Sequence, residues 1–270
     1  CEFVEAARAD EPGALANNAY SADVVAISDA ATALRNLPAD LASDNALPRW
    51  LAEVAGIRVR DLASRRDLAF DVDSPLDGLL LGGLVDRLPE LPAADADAVR
   101  SRLASLRALA ADPAAELLVA GRVNGSDLRA IERGSRARTR AVIEERGLRT
   151  AALAAQRGRP NRRPARSLLA RLLEHEGPER LGEVVAAHAD GALIDTRVLI
   201  AARAGADERG WPPAEDRYAS DLLLADRVGD PWLRAITRSA AEAAVPILLG
   251  AHTLVGPGAV LALGIEWGEA

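Results

Sequence analysis

The densest group of reactive side chains is Leu68-Ala-Phe-Asp-Val-Asp-Ser-Pro-Leu-Asp77. If Leu68–Asp73 is a strand, Asp71 and Asp73 leave one face of it while Phe70 and Val72 leave the other. Adjacent carboxylates repel, and burial strips their hydration, so a cation or a proton relieves such a pair. The carboxyl end of a strand in an open sheet is also where ligands usually bind. A solvated acidic patch fits the same residues, and the sequence leaves both readings open. Ser74, Pro75 and Asp77 have a local explanation as N-cap, first helical position and capping-box acid.

Two further groups carry charge in unusual density. Residues 122–171 contain 14 Arg against four acids, a local +10 in a chain of net −7. Arginine offers bidentate contacts to phosphate, but this segment holds no aromatic residue on which a base could stack. A solvated face that pairs with the acidic N-terminal region explains the arithmetic as well. The second group is Trp211-Pro-Pro-Ala-Glu-Asp-Arg-Tyr-Ala-Ser-Asp221, with Trp232 close behind. Trp and Tyr join an apolar body to a polar tip and suit a pocket or an interface, to which Glu215, Asp216, Arg217 and Asp221 would add charge. Prolines ahead of an acidic helix start are equally ordinary capping. Asp195 and Arg197 interrupt the apolar run Ala192–Ala201, and on a strand they would share a face as an ion pair. His252 lies beside a Gly-Pro-Gly turn and reads as a hydrogen-bonded structural histidine. No zinc-protease, nucleophile-elbow, Walker or dinucleotide motif occurs.

The elements that would position these residues alternate between strand and helix, which predicts an α/β fold. Short strands are expected at Asp23–Ile27, Ile57–Arg60 and Leu68–Asp73, and a helix at Leu47–Val54 capped by Asp44-Asn45. Pro89, Pro92 and the acids between Ala94 and Ala98 form the best linker. The chain is therefore expected to divide into residues 1–90 and an α/β domain over 91–270. There a helix is expected at Ala98–Ala110, a strand at Leu117–Val123 with Asn124-Gly125-Ser126 as the turn into another helix, helices at Ser167–Glu176, Pro178–Ala187 and Pro231–Ala244, a strand at Ala192–Ala201, and two strands within Pro246–Leu263. Of the 270 residues 49% are hydrophobic, enough for a sizeable core. One cysteine, Cys1, excludes a disulfide framework, and three histidines are too scattered for a histidine-rich metal site. No apolar run reaches the roughly 18 residues of a membrane span, and no basic-apolar leader opens the chain, so a cytoplasmic protein is expected. Met is absent even at position 1, which reads as a processed chain or a fragment.

Over Asn17 to about Leu84 the layout Ser43-Asp44-Asn45-Ala46, helix, short strand, then Phe70-Asp-Val-Asp-Ser-Pro-Leu-Asp77 resembles the C-terminal half of MobA-like nucleotidyltransferases. These include the molybdenum-cofactor guanylyl- and cytidylyltransferases. The resemblance implies a partial doubly wound sheet and an enzyme that transfers NMP from an NTP to a phosphorylated acceptor with Mg²⁺. It implies Asp71 and Asp73 near the metal and phosphates, and Asp44 and Asn45 near the acceptor. The family's opening Gly-rich loop and central acidic motif are not found before Asn17, and no Lys is available for a triphosphate. The chain is therefore expected to be an incomplete, inactive nucleotidyltransferase. The alternative is a non-catalytic module whose Arg-rich segment binds a polyanion, a partner protein or a second copy of the chain.

Overall fold

A computed structural model describes the chain except for residues 1, 20–21, 40, 42–45, 66–67, 69, 83–91, 149–163, 255 and 266–270. The chain forms two compact units, Cys1–Phe70 with the last three residues, and Asp71–Trp267. The break thus falls at Phe70/Asp71, ahead of the proline-rich stretch near residue 90 where the sequence places it.

In the first unit, helix α1 (Glu2–Ala7) precedes strands β1 (Ala14–Ala16) and β2 (Val25–Ile27). Helix α2 (Ala30–Ala33), helix α3 (Leu47–Glu53) and strand β3 (Val59–Asp61) follow. β1 is the central strand, antiparallel to β2 and parallel to β3. Leu51 of α3 is fully buried against Ala14 and Ala33, with Val25, Ile27 and Val59 packed around them. Among the described residues α3 has no side-chain N-cap, and its cap position is Ala46. The expected cap residues Asp44 and Asn45 lie outside the described residues.

The second unit opens with helix α4 (Pro75–Leu81), whose start follows the local rules. The Ser74 hydroxyl accepts from Asp77 N–H and the Asp77 carboxylate accepts from Ser74 N–H, with Pro75 at the first helical position. Next come helix α5 (Ala93–Ala110), strand β4 (Glu116–Gly121), helix α6 (Gly125–Gly134) and strand β5 (Arg138–Ile143). Helices α7 (Leu168–Glu176) and α8 (Leu181–Ala186) lead to strand β6 (Gly191–Ile194) and helix α9 (Thr196–Ala204). The chain continues through helices α10 (Ala214–Asp221) and α11 (Pro231–Glu242), strand β7 (Ile247–Leu249) and helix α12 (Pro257–Ala262).

β4 to β7 form one parallel sheet in the order β5-β4-β6-β7. Leu118, Ala120, Ala192, Ile194, Ile247 and Leu249 bury one face under α7, α8 and α11. α5 covers the other face, so closely that a Cβ on Gly191 would meet Leu109 and Leu106. Strands buried on both faces read as unbroken apolar runs, which is why LLVA and ALI show no alternation. The molecule is mixed α/β with a parallel sheet, as expected. No described helix is long and apolar enough to cross a membrane.

Three expected strands are corrected. The run Ala192–Ala201 is strand β6 followed directly by α9, because Asp195 accepts a hydrogen bond from Arg197 N–H and caps the helix. Among the described residues of Pro246–Leu263 only Ile247–Leu249 is a strand, and Gly256-Pro257 starts α12. The described part of Leu68–Asp73 is not a strand: Asp71, Val72 and Asp73 are exposed on an irregular segment.

Candidate functional site

In the parallel sheet, Gly121 pairs with Ile143, Ala120 with Ile194, and Ile194 with Leu249. The carboxyl ends of all four strands are therefore level, and the residues just past them form one edge. β4 is first in sequence yet sits between β5 and β6, so the chain winds outward on both sides of it. Such a reversal opens a crevice where ligands usually bind.

Asp195 sits at this edge of the sheet, fully buried. It accepts from Arg122 Nε at 2.6 Å, Arg122 Nη2 at 3.2 Å, Arg122 N–H at 3.3 Å and Arg197 N–H at 3.1 Å. The Arg122 side chain is only 8% exposed and also donates to the Ala251 carbonyl at 3.2 Å. One ion pair thus ties together the ends of β4, β6 and β7. Gly121 makes the approach possible: its φ is +139°, and a Cβ there would collide with the Asp195 side chain.

Two more guanidinium groups stand beside this pair. Arg197 is ion-paired with Glu208 and lies 5.3 Å from the ring centre of Trp211. Arg217, on α10, lies 6.0 Å from the same ring, and among the described residues it has no ion pair. The indole N–H of Trp211 donates to the Gly205 carbonyl at 2.7 Å, which fixes the ring as a support for both cations. His252 follows β7; its ring centre is 5.9 Å from that of Tyr218, and its Nδ1 is 3.5 Å from Arg197 Nη1. A guanidinium only donates, so this contact makes Nδ1 the acceptor and leaves the proton on Nε2. Burial, reinforced by Arg197, Arg217 and Arg122, pulls the imidazole down to about 3, so it is neutral at physiological pH. Arg197 Nε, Arg217 Nε and Nη1 and His252 Nε2 are buried without a hydrogen-bond partner among the described residues. Four unmatched N–H donors in one cluster suit an incoming anion.

Two buried carboxyl groups flank the cluster. Asp221 of α10 accepts from Ala251 N–H at 2.8 Å; burial, with Asp77 and Asp195 adding to it, pushes its carboxyl well up. Asp77 is pushed up by burial and accepts from Ser74 Oγ at 2.8 Å and Ser74 N–H at 2.7 Å. Ser74 Oγ is in turn 2.9 Å from Thr253 Oγ1, beside His252.

The sequence-based site residues fare differently. Asp71 and Asp73 are exposed and do not share a strand face, and among the described residues no group of three or more His, Cys, Asp or Glu could hold a metal ion. Asp44 and Asn45 lie outside the described residues. Of the Arg-rich segment, Arg122 enters the site, Arg140 pairs with Glu116 and Arg171 with Glu174, while residues 149–163 lie outside the description. Of the segment Trp211–Asp221, read as a pocket, an interface or ordinary capping, Trp211, Arg217, Tyr218 and Asp221 lie at or beside this cluster. Asp195, Arg197 and His252 are not among the binding residues expected from the sequence, and Arg122 is one of the 14 Arg of the basic segment. Their available signal was a lone Asp followed by Thr-Arg after an apolar run, a helix-cap pattern at a strand end. Comparison of the chain with protein-family models, curated proteins and solved structures returns no match.

Proposed function

We propose that the unit over residues 71–267 binds a small phosphorylated molecule at the carboxyl edge of its parallel sheet. The observation that carries this reading is the set of buried, unmatched donors on Arg197, Arg217 and His252. A buried donor left without an acceptor costs about 1–3 kcal/mol. A phosphate offers several acceptor oxygens and a charge that guanidinium groups match bidentately. Neutral His252 gives a hydrogen bond without changing the charge of the site, and Asp195 holds Arg122 and the backbone of Arg197 in position.

Isothermal calorimetry of the full chain with methyl phosphate tests this reading. Arg217→Ala and His252→Ala are each expected to weaken binding by at least about tenfold. Arg140→Ala, on the exposed pair with Glu116, is expected to leave it unchanged. Saturable binding untouched by Arg217→Ala, or no binding at all, would refute it.

Nucleotidyl transfer to a phosphorylated acceptor is a second reading, with one specific observation in its favour. The Ser74-Pro75-x-Asp77 helix start, on which the family resemblance rests, is hydrogen-bonded to Thr253 in the loop that carries His252. The phosphate site would then hold the acceptor, and Asp71 and Asp73 would be the residues offered to Mg²⁺. Pyrophosphate release from GTP or CTP, lost in Asp73→Ala, would support that reading, and its absence with every NTP would remove it.

A further inference from the structure

Resting on the phosphate-site reading, we propose that the site takes a dianion and that Glu208 is the internal counter-ion which the ligand displaces. The cluster holds three guanidinium groups, of Arg122, Arg197 and Arg217, against two carboxylates, of Asp195 and Glu208. With His252 neutral, these five groups sum to +1 while Glu208 is in place and to +2 once Glu208 has left.

The two carboxylates are held in different ways. Asp195 is fully buried, caps α9 and accepts four hydrogen bonds, so moving it would dismantle the ends of three strands. Glu208 is 30% exposed and begins a single 3₁₀ turn, Glu208–Gly210. Among the described residues its carboxylate bonds Arg197 alone. It can rotate into water without breaking a strand or a helix cap. Arg197 and Arg217 lie against one Trp211 ring and feel each other's charge, so the departure of Glu208 leaves both without an ion pair among the described residues. A monoanion is satisfied by Arg217 and has little with which to displace Glu208. A dianion matches both cations. Phosphate monoesters carry most of their second negative charge at neutral pH, since that proton leaves near pH 6. The ligand class is therefore a phosphate monoester, not a phosphodiester or a simple carboxylate.

Methyl phosphate and methyl sulfate have the same shape and differ by one charge, so calorimetry at pH 8 with wild type, Glu208→Gln and Arg217→Ala separates the cases. Wild type is expected to prefer methyl phosphate by at least about tenfold. Glu208→Gln is expected to tighten methyl phosphate by roughly two- to fivefold, the scale of one partly exposed ion pair. Glu208→Ala, which leaves no amide to hydrogen-bond Arg197, should tighten it at least as much, and unfolding curves confirm that both variants are folded. Equal affinity of wild type for the two anions overturns the dianion assignment. Methyl phosphate binding unchanged or weakened in both Glu208 variants, while Arg217→Ala still abolishes it, overturns the counter-ion role and leaves the phosphate site standing. No binding by wild type or either Glu208 variant removes the phosphate site itself and this proposal with it.

Discussion

Replacing Asp195 is the most direct challenge to the site's construction. In Asp195→Asn the shape is nearly kept, but Arg122, only 8% exposed, loses the anion that neutralises it. Removing one partner of a buried ion pair costs about 3–5 kcal/mol, because the remaining charge stays desolvated. The amide oxygen can still accept one of the four hydrogen bonds, which places Asn near the lower end of that range. Asp195→Ala also loses the cap on α9, a further cost of about 1 kcal/mol. For a unit of this size each kcal/mol moves Tm by about 2–4 °C, so the Asn variant should melt roughly 6–12 °C lower. The two compact units call for a probe specific to the second, and near-UV circular dichroism of the tryptophan band in a Trp50→Phe background is suitable, since the other tryptophans belong to the second unit. The decisive comparison is a double-mutant cycle with Arg122→Met. Met removes the stranded charge, so the double variant should be clearly less destabilised than the sum of the singles, with a coupling of about 2 kcal/mol or more. Additive losses, within about 0.5 kcal/mol, would refute a buried ion pair here.

Two further predictions follow from the same geometry. Gly121→Ala places a methyl group against Asp195 at φ +139°, and should cost about 2–3 kcal/mol and abolish methyl phosphate binding; a melting curve and a titration matching wild type would contradict the packing described. His252 is held at about 3 in the folded protein and titrates near 6.5 when unfolded, so below pH 6.5 the unfolded chain binds a proton that the folded one refuses. Its contribution is full above pH 6.5 and is lost as pH falls towards 3, amounting to about 1 kcal/mol by pH 5 after halving for solvent screening. Asp77 and Asp221, pushed up by burial, act with the opposite sign, so wild type must be compared with His252→Gln. Denaturant unfolding should show wild type losing more stability than the variant between pH 6.5 and 5, and parallel loss would refute the assignment.

Local chemistry was legible in the sequence. The starts of α4 and α7 follow from Ser74-Pro75-x-Asp77 and Ser167, and α6 begins where Asn124 accepts from Ser126 and Asp127 N–H. The alternation of element types gave the α/β class. The site was not legible, for two physical reasons. A parallel strand buried on both faces has no alternation, and α9 is itself largely buried, so one apolar run conceals a strand and a helix with Asp195 between them. The pairing of Arg122 with Asp195 spans 73 residues and depends on Gly121, whose role exists only once β4 and β6 are adjacent. The acidic pair Asp71 and Asp73 has the period-two spacing of a strand, whereas those residues precede the cap of α4 on an irregular segment and face solvent.

The same motif bears on the site in a way that spacing could not show. The loop between β7 and α12 is held at three points. The Ala251 carbonyl accepts from Arg122, Ala251 N–H donates to Asp221, and Thr253 Oγ1 bonds Ser74, whose hydroxyl donates to buried Asp77. His252 lies between these anchors, so its neutral imidazole is held in place, and a ligand of the proposed kind would find it already oriented. Ser74 and Asp77 are thereby explained as braces of the loop that presents His252, with no metal ion required for their burial. Asp195 is buried and multiply bonded, whereas Glu208, the counter-ion of Arg197, is partly exposed and, among the described residues, held by that one pair. Exchange of Glu208 for a ligand would then leave the sheet edge, the helix cap and the His252 loop unmoved, and selectivity for the ligand's charge would reside in that one carboxylate.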